Sequence, residues 1–341
     1  MRVLLVRPES AGGIRVHVDN LTRGLRDAGH DVRTLVAAGT GAIPRIRHAA
    51  RHTRVDVVHA HGLRSGAAAC LATGKRTVVT LHNQPSGRAG DLLLRLISQR
   101  ADAVLAASHD LVEAAAGHGA ANVRFAPVVA PTLPAPTRPV AEVRTELRTV
   151  LGLAPDDTQR IALAVGRLAP QKDYDTLLKA LILSKEQYGA AVPVAIAGEG
   201  PLRGQLQDVI DAHELPVALL GHRTDVADLL RAVDTFVMCS SWEARPLALQ
   251  EALRAGIQRV IATDVGGVSE VTAGVFPLIP PGDPEALHHA FMAVHGAATP
   301  PGMCFGPLAQ LPGGQPDWDA LWPGPEEELA AVLAAYAEKR S

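Results

Sequence analysis

Aromatic residues are scarce in this chain of 341 residues, at 3%. Few ring faces are left to stack on bases, which counts against a single-stranded nucleic-acid binder. An excess of one charge is also lacking. The formal net charge is −2, so no overall positive field favours a polyanion, and no nucleic-acid partner is expected. The three cysteines, Cys70, Cys239 and Cys304, lie far apart and form no CxxC pair. That excludes a disulfide framework or a zinc ribbon and fits reduced thiols in the cytoplasm. Long apolar runs are missing too. The opening MRVLLVRPES is closed by Arg7 and Glu9 and is too short for a signal peptide. No later stretch approaches the roughly 18–20 apolar residues of a membrane span. With 47% hydrophobic and 20% charged residues, a soluble globular chain is expected.

What the sequence does have is alternation. The run Val3–Val6 precedes Gly12-Gly13, then Ile14, Val18, Leu21, Leu25 and Ala28 recur at helical spacing, Gly29 suits a helix stop, and Val32–Val36 resumes a strand. Further strands are expected at 55–58, 77–81 and 103–107. The pattern breaks at APVVAPTLPAPTRP, whose five prolines read as a stiff connector. It then restarts, with strands expected at 161–165, 192–197, 217–220, 235–238, 259–262 and 275–279. Helices are expected between them at 175–185, 201–213, 225–233 and 246–255, and another from Asp283-Pro284 to about Val294. Strand–helix alternation of this kind argues for parallel sheets covered by helices, here two doubly wound Rossmann-like units. The boundaries read as 1–150 and 151–295, followed by a glycine- and proline-rich segment with a terminal helix over 296–341. Two such units place the default ligand site in the cleft between them, beyond the strand carboxyl ends.

Two segments carry chemistry. Gly166-Arg167-Leu168-Ala169-Pro170-Gln171-Lys172 leaves a buried strand at its carboxyl edge, where Arg167 and Lys172 can hold a diphosphate. For the two cations alone, a solvated loop is the ordinary alternative. In Ser241-Trp242-Glu243-Ala244-Arg245-Pro246-Leu247-Ala248-Leu249-Gln250-Glu251, a helix starts near Pro246, so the Leu247 and Ala248 N–H groups are free for an anion. Glu243 and Glu251 can accept hydrogen bonds from sugar and ribose hydroxyls, although Glu251 alone would pass for an exposed helix acid. His59-Ala60-His61 is expected to alternate across a strand with its rings on opposite faces, a poor metal pair and structural. Spacing along the chain shows no metal-ligand cluster. Arg45, Arg47, Arg51 and Arg54 form a basic segment with few apolar anchors, read as a solvated face rather than a membrane contact.

Taken in order over residues 1 to about 295, these segments resemble the GT4 family of retaining glycosyltransferases. The likeness is carried by GRLAPQK, by the glutamate pair inside SWEARPLALQEALRAG, and by VAIAGEGPLR, LLGHRTDVADLLRAVD and IATDVGGVSEV. GGIRVHVDNLTRGLRDAGHDV and VDVVHAHG look like the family's opening. The resemblance implies the GT-B fold and transfer of a hexose-type sugar from a nucleotide-diphospho-sugar to a small-molecule or glycan acceptor, without cofactor or metal. It implies that Arg167 and Lys172 bind the diphosphate, Glu243 the transferred sugar and Glu251 the ribose. Gly166, His222 and Arg223 join the nucleotide side, Gly12-Gly13 gives close backbone approach to phosphate, His82 lies near the reacting sugar, and Asn83 is an acceptor candidate. A histidine after a strand is otherwise often structural.

There are departures from the family pattern: Asp173 follows the lysine, Ala244-Arg245 replaces a glycine-containing step, and Gln258 stands where proline is common. None removes a carrier of the chemistry. The rival readings are a sugar-nucleotide 2-epimerase on the same fold and a non-catalytic scaffold. An Ala/Arg/Gly-rich composition points to a GC-rich bacterial genome.

Overall fold

Val3, Leu4, Leu5 and Val6 are all 2% exposed or less, yet they serve two cores, because successive side chains of a strand point to opposite faces. Val3 and Leu5 pack with Val18, Leu21 and Leu25 on one face, and Leu4 and Val6 with Ile46 and Val58 on the other. A continuous apolar run therefore reads as a strand buried on both sides of a parallel sheet. The computed structural model describes residues 1–9, 12–37, 41–154, 156–295 and 316–337. Contacts divide the chain into two units, Met1–Pro131 with Trp322–Ser341, and Thr132–Leu321.

In the first unit the elements follow as β1 (Arg2–Arg7), α1 (Gly13–Asp27), β2 (Asp31–Val36), α2 (Ala42–His52), β3 (Val57–His61), α3 (Leu63–Ala72), β4 (Arg76–Leu81), α4 (Gly87–Arg100), β5 (Ala103–Ala106), α5 (His109–Gly117) and β6 (Val123–Phe125). Their strands form a six-stranded sheet in the order β2-β1-β3-β4-β5-β6, parallel throughout.

The second unit contains α6 (Val140–Val150), β7 (Ala162–Val165), α7 (Tyr174–Tyr188), β8 (Val194–Ala197), α8 (Arg203–Ala212), β9 (Val217–Gly221) and α9 (Val226–Ala232). It continues through β10 (Thr235–Met238), α10 (Leu247–Arg254), β11 (Arg259–Ala262), α11 (Val268–Thr272), α12 (Pro284–His295) and α13 (Trp318–Leu321). Its five strands are parallel in the order β11-β10-β7-β8-β9. The last helix, α14 (Pro325–Ala337), belongs to the first unit, where Val332, Ala335 and Tyr336 join the core beneath α1.

The expected helix stops are there: Gly29 and Gly256 take φ of 81° and 79°, the left-handed backbone that ends a helix at least cost in glycine. One strand is not. Residues 275–279 make only an isolated parallel bridge, Ile279 to Thr263, because a single pair of backbone bonds ends before a ladder forms. The proline-rich stretch is irregular up to α6, as fixed φ and missing N–H groups require, while Val128, Val129 and Ala130 are nevertheless buried. Residues 296–315, including Cys304, lie outside the described residues. No described helix is long and apolar enough to cross a membrane.

Candidate active site

β7 ends at Val165, and the chain turns at Gly166 so that Arg167 is exposed beyond the carboxyl edge of the sheet. Pro170–Lys172 then forms a single 3₁₀ turn that brings Lys172 back toward the strand ends. Asp173 follows with φ of 50° and caps α7, its carboxylate accepting from the Thr176 hydroxyl at 2.9 Å. Here lies the reason that glycine suits this position in the family pattern, since a left-handed residue is strained in most side chains and tolerated by aspartate.

The Lys172 ammonium donates directly to Glu243 Oε1, and the Ser240 hydroxyl donates to the same oxygen at 2.7 Å. Glu243 is 8% exposed, so its carboxylate is held by two donors and largely shielded from water. The segment before it is tied to the lysine turn. Gln171 donates to the Trp242 carbonyl at 2.8 Å, and the Gln171 carbonyl accepts from the Ser241 amide at 2.9 Å. On its other side Glu243 accepts the Gly267 amide at 3.0 Å through its carbonyl. A Cβ on Gly266 would overlap that carbonyl, so this approach requires glycine.

Pro246 occupies the N-cap position and α10 starts at Leu247. The first amides of a helix have no partner within it, so Leu247 and Ala248, both half-buried, present donors at that end. Glu251 lies one turn further along α10, half-buried, and burial pushes its carboxyl above the usual range with partial compensation from Arg254. Burial also raises the Cys239 thiol to about 12, leaving it a protonated, inert neighbour whose Sγ donates to the Lys172 carbonyl at 3.2 Å.

In the first unit, Gly12 caps α1 and Gly13 opens it, both exposed and both without side chains to block an approaching ligand. His82 follows β4, half-buried, within 3.1 Å of His61 Nδ1, and Asn83 beside it is exposed. Burial pulls His61 and His82 well below the usual imidazole range, and His59 down to about 3. The expectation that His59 and His61 point to opposite faces is corrected. Residues two apart on a strand share a face, and their rings stack with centroids 4.4 Å apart.

Both halves of the chain match family models. Residues 37–131 match the model described as "Glycosyl transferase 4-like domain", and residues 150–295 match "Glycosyl transferases group 1". The chain belongs to the GT4-type glycosyltransferases.

This transferase is 27% identical, over 83% of its length and 84% of the relative's, to a GDP-mannose-dependent alpha-(1-6)-phosphatidylinositol dimannoside mannosyltransferase of Mycobacterium tuberculosis. It is 32% identical to the lipopolysaccharide core mannosyltransferase LpsB of Rhizobium meliloti, a match that spans 38% of each chain. Its fold is that of the GT-B enzymes. Anabaena HepE, solved with UDP and glucose, superposes with a TM-score of 0.69 at 21% identity, covering 85% of this chain and 89% of that one.

Two cations of the glycosyltransferase are placed otherwise than their neighbours in sequence suggest. Arg245, next to Glu243 in the chain, is 7% exposed and directs its guanidinium to Glu270 at 3.6 Å. Arg223 is held by both oxygens of Asp225, at 2.7 and 2.6 Å, and by Glu146 at 2.8 Å, whereas His222 beside it is exposed. Sequence reasoning missed Ser240 and Gln171, which fix Glu243 and its loop. Both lie inside or beside the quoted motifs, and their hydrogen-bonding side chains at strand ends were the available signal.

Proposed function

We propose that the enzyme moves a hexose-type sugar from a nucleotide-diphospho-sugar to an acceptor hydroxyl, with retention at the anomeric carbon and without a catalytic metal. The observation that carries this reading is the Lys172 ammonium seated on the Glu243 carboxylate at the carboxyl end of a parallel sheet. Arg167 and Lys172 supply the positive charge that a diphosphate needs, both in binding and as it departs. The Leu247 and Ala248 amides add fixed donors at the start of α10, and Gly166, where a Cβ would crowd Lys172 and Tyr174, leaves room for the lysine side chain. Glu243 then accepts from hydroxyls of the transferred sugar, and Glu251 from those of the ribose. His222 lies on the nucleotide side, with Arg223 acting through the segment it holds. Gly12-Gly13 offers bare backbone to a phosphate, and His82 with Asn83 serves the acceptor side.

Retention follows a front-face path in this reading: the departing phosphate oxygen takes the acceptor proton, and no protein nucleophile intervenes. Cys70 and Cys239, both buried and neither in a disulfide, support a reducing, cytoplasmic setting. Relatives are named for GDP-mannose, and HepE is solved with UDP-glucose. A binding screen over GDP, UDP, ADP and dTDP therefore identifies the donor base. With donor and acceptor in hand, activity is expected to survive a strong chelator, and NMR of the product should show the donor's anomeric configuration. Loss of activity that magnesium or manganese restores, or an inverted product, would overturn the corresponding part.

A further inference from the structure

Three histidines that are far apart in the sequence meet in the first unit. His17 comes from the second turn of α1, His61 ends β3, and His82 follows β4. Each offers one ring nitrogen, and these nitrogens lie within 4.8 Å of one another. The ring centroids are 5.2 Å apart for His17 and His61, 4.9 Å for His17 and His82, and 5.4 Å for His61 and His82.

The hydrogen bonds around the group leave it incomplete. His17 is 5% exposed, and its Nδ1 lies 3.0 Å from a Glu328 oxygen on α14. In a neutral ring that contact makes Nδ1 the donor and leaves a lone pair on Nε2. Nε2 of His17 is buried with no hydrogen-bond partner, and so is Nε2 of the fully buried His61. Buried imidazole nitrogens are normally satisfied, so the His17 orphan within this cluster calls for a ligand, whereas the His61 orphan is the ring nitrogen turned away from the one that faces His82. His59 does not provide it. Its own nitrogens are taken by the Tyr336 and Thr80 hydroxyls, each at 2.7 Å, and its ring stacks on His61 and holds it in place.

We propose that His17, His61 and His82 form a binding site for a borderline divalent cation, zinc foremost, with the fourth position open to water or a small ligand. Three neutral imidazoles without a carboxylate in the inner set suit zinc, nickel or copper rather than magnesium or calcium. Zinc–nitrogen bonds of about 2.0–2.1 Å in a tetrahedron set the nitrogens roughly 3.3 Å apart. The His61 Nδ1 and His82 Nε2 pair, at 3.1 Å, is already near that spacing, and the ligand nitrogen of His17 lies within 4.8 Å of both. Glu328 behind His17 is the outer carboxylate that commonly orients a metal-binding histidine. This site shares His82 with the acceptor side proposed above, but the bound cation takes no step in the transfer.

The test uses the full chain and needs no substrate. Wild-type protein is titrated with cobalt(II), and zinc affinity is measured by competition with a chromophoric chelator. One equivalent of cobalt should give the intense visible bands of a tetrahedral nitrogen set, without a thiolate charge-transfer band. His17→Ala and His82→Ala should each weaken zinc at least tenfold, and Glu328→Gln roughly ten- to a hundredfold. His48 and His52 stack on α2 with centroids 4.0 Å apart and are the obvious competing pair, so their double alanine variant should bind zinc like wild type. A weak octahedral spectrum, a thiolate band, or affinity that follows His48 and His52 instead of the triad would overturn the site. The cobalt spectrum is read on wild type, so it decides the matter even if a variant fails to fold.

Discussion

Glu243 and Glu251 are two carboxylates in different surroundings, and their proposed roles predict different losses. Glu243 is held by Lys172 and Ser240, whereas burial disfavours the charge of Glu251 with only Arg254 to offset it. A contact that strengthens as charge develops affects turnover, and one made equally before and during reaction affects binding. Glu243→Gln should therefore mainly lower kcat, and Glu251→Gln should mainly weaken free nucleotide. Each loss is roughly 1.5–3 kcal/mol for a hydrogen bond to a charged group, on the order of ten- to a hundredfold. Stability adds a second readout. The folded carboxyl of Glu251 is raised above its unfolded value, so its stabilising contribution is present below that value and lost as pH rises through the folded one. At neutral pH Glu251→Gln removes this cost, and its melting temperature should exceed that of wild type. If Glu243→Gln loses nucleotide while Glu251→Gln keeps it, the two assignments are reversed.

At the scale of elements, strands and helix stops were legible because burial on both faces and left-handed glycines leave marks in the sequence. The ladder at 275–279 was not, since pairing depends on a neighbour that composition does not reveal. Nor was the histidine cluster. Its members come from three elements, and the one local clue, His59-Ala60-His61, was read with the wrong period. The motif GRLAPQK placed Lys172 correctly on a strand-end turn, but its pairing with Glu243 is a tertiary fact.

Also hidden was the network that joins α6 to the β9–α9 turn. Arg138 donates to Glu142 at 2.8 Å and Glu146 at 2.7 Å, and Arg223 bridges Glu146 to Asp225. Arg138 and then Arg223 lower the Glu146 carboxyl, and Arg223 above all lowers Asp225. For such acids the stabilisation is present above the unfolded values of about 4.3 and 3.9 and is lost as pH falls through the lower folded ones. Glu146→Gln should flatten the fall in stability below about pH 4.5. The change should be well short of the ~1.4 kcal/mol per pH unit of a full proton, because the site is partly exposed and screened. An acid limb as steep as wild type, measured by urea unfolding at successive pH values, would remove this network from the account.

The whole molecule carries two sheets with separate cores, and that separation makes the location of nucleotide binding measurable. Leu163's neighbours Ala162 and Ala164 pack with Leu177, Ile196 and Phe291 in one core, while Val3, Leu5 and Val332 pack in another. A ligand that binds only the folded form of one unit raises the free energy of opening that unit, by about 2.7 kcal/mol at a hundred times Kd. Hydrogen exchange from global opening slows in proportion, on the order of a hundredfold. Arg167, Lys172, Glu243 and Glu251 all lie within Thr132–Leu321. Saturating the protein with its preferred nucleoside diphosphate should therefore slow exchange in β7, β8 and β10 and around residues 166–172 and 247–251. Amides of β1, β3 and α14 should slow far less, because in the proposed function their unit offers the phosphate only the Gly12-Gly13 backbone. The measurement uses wild-type protein, depends on no acceptor, and separates binding from turnover. Protection confined to β1, β3 and α14 would move the nucleotide site to the other unit and take the proposed roles of all four residues with it.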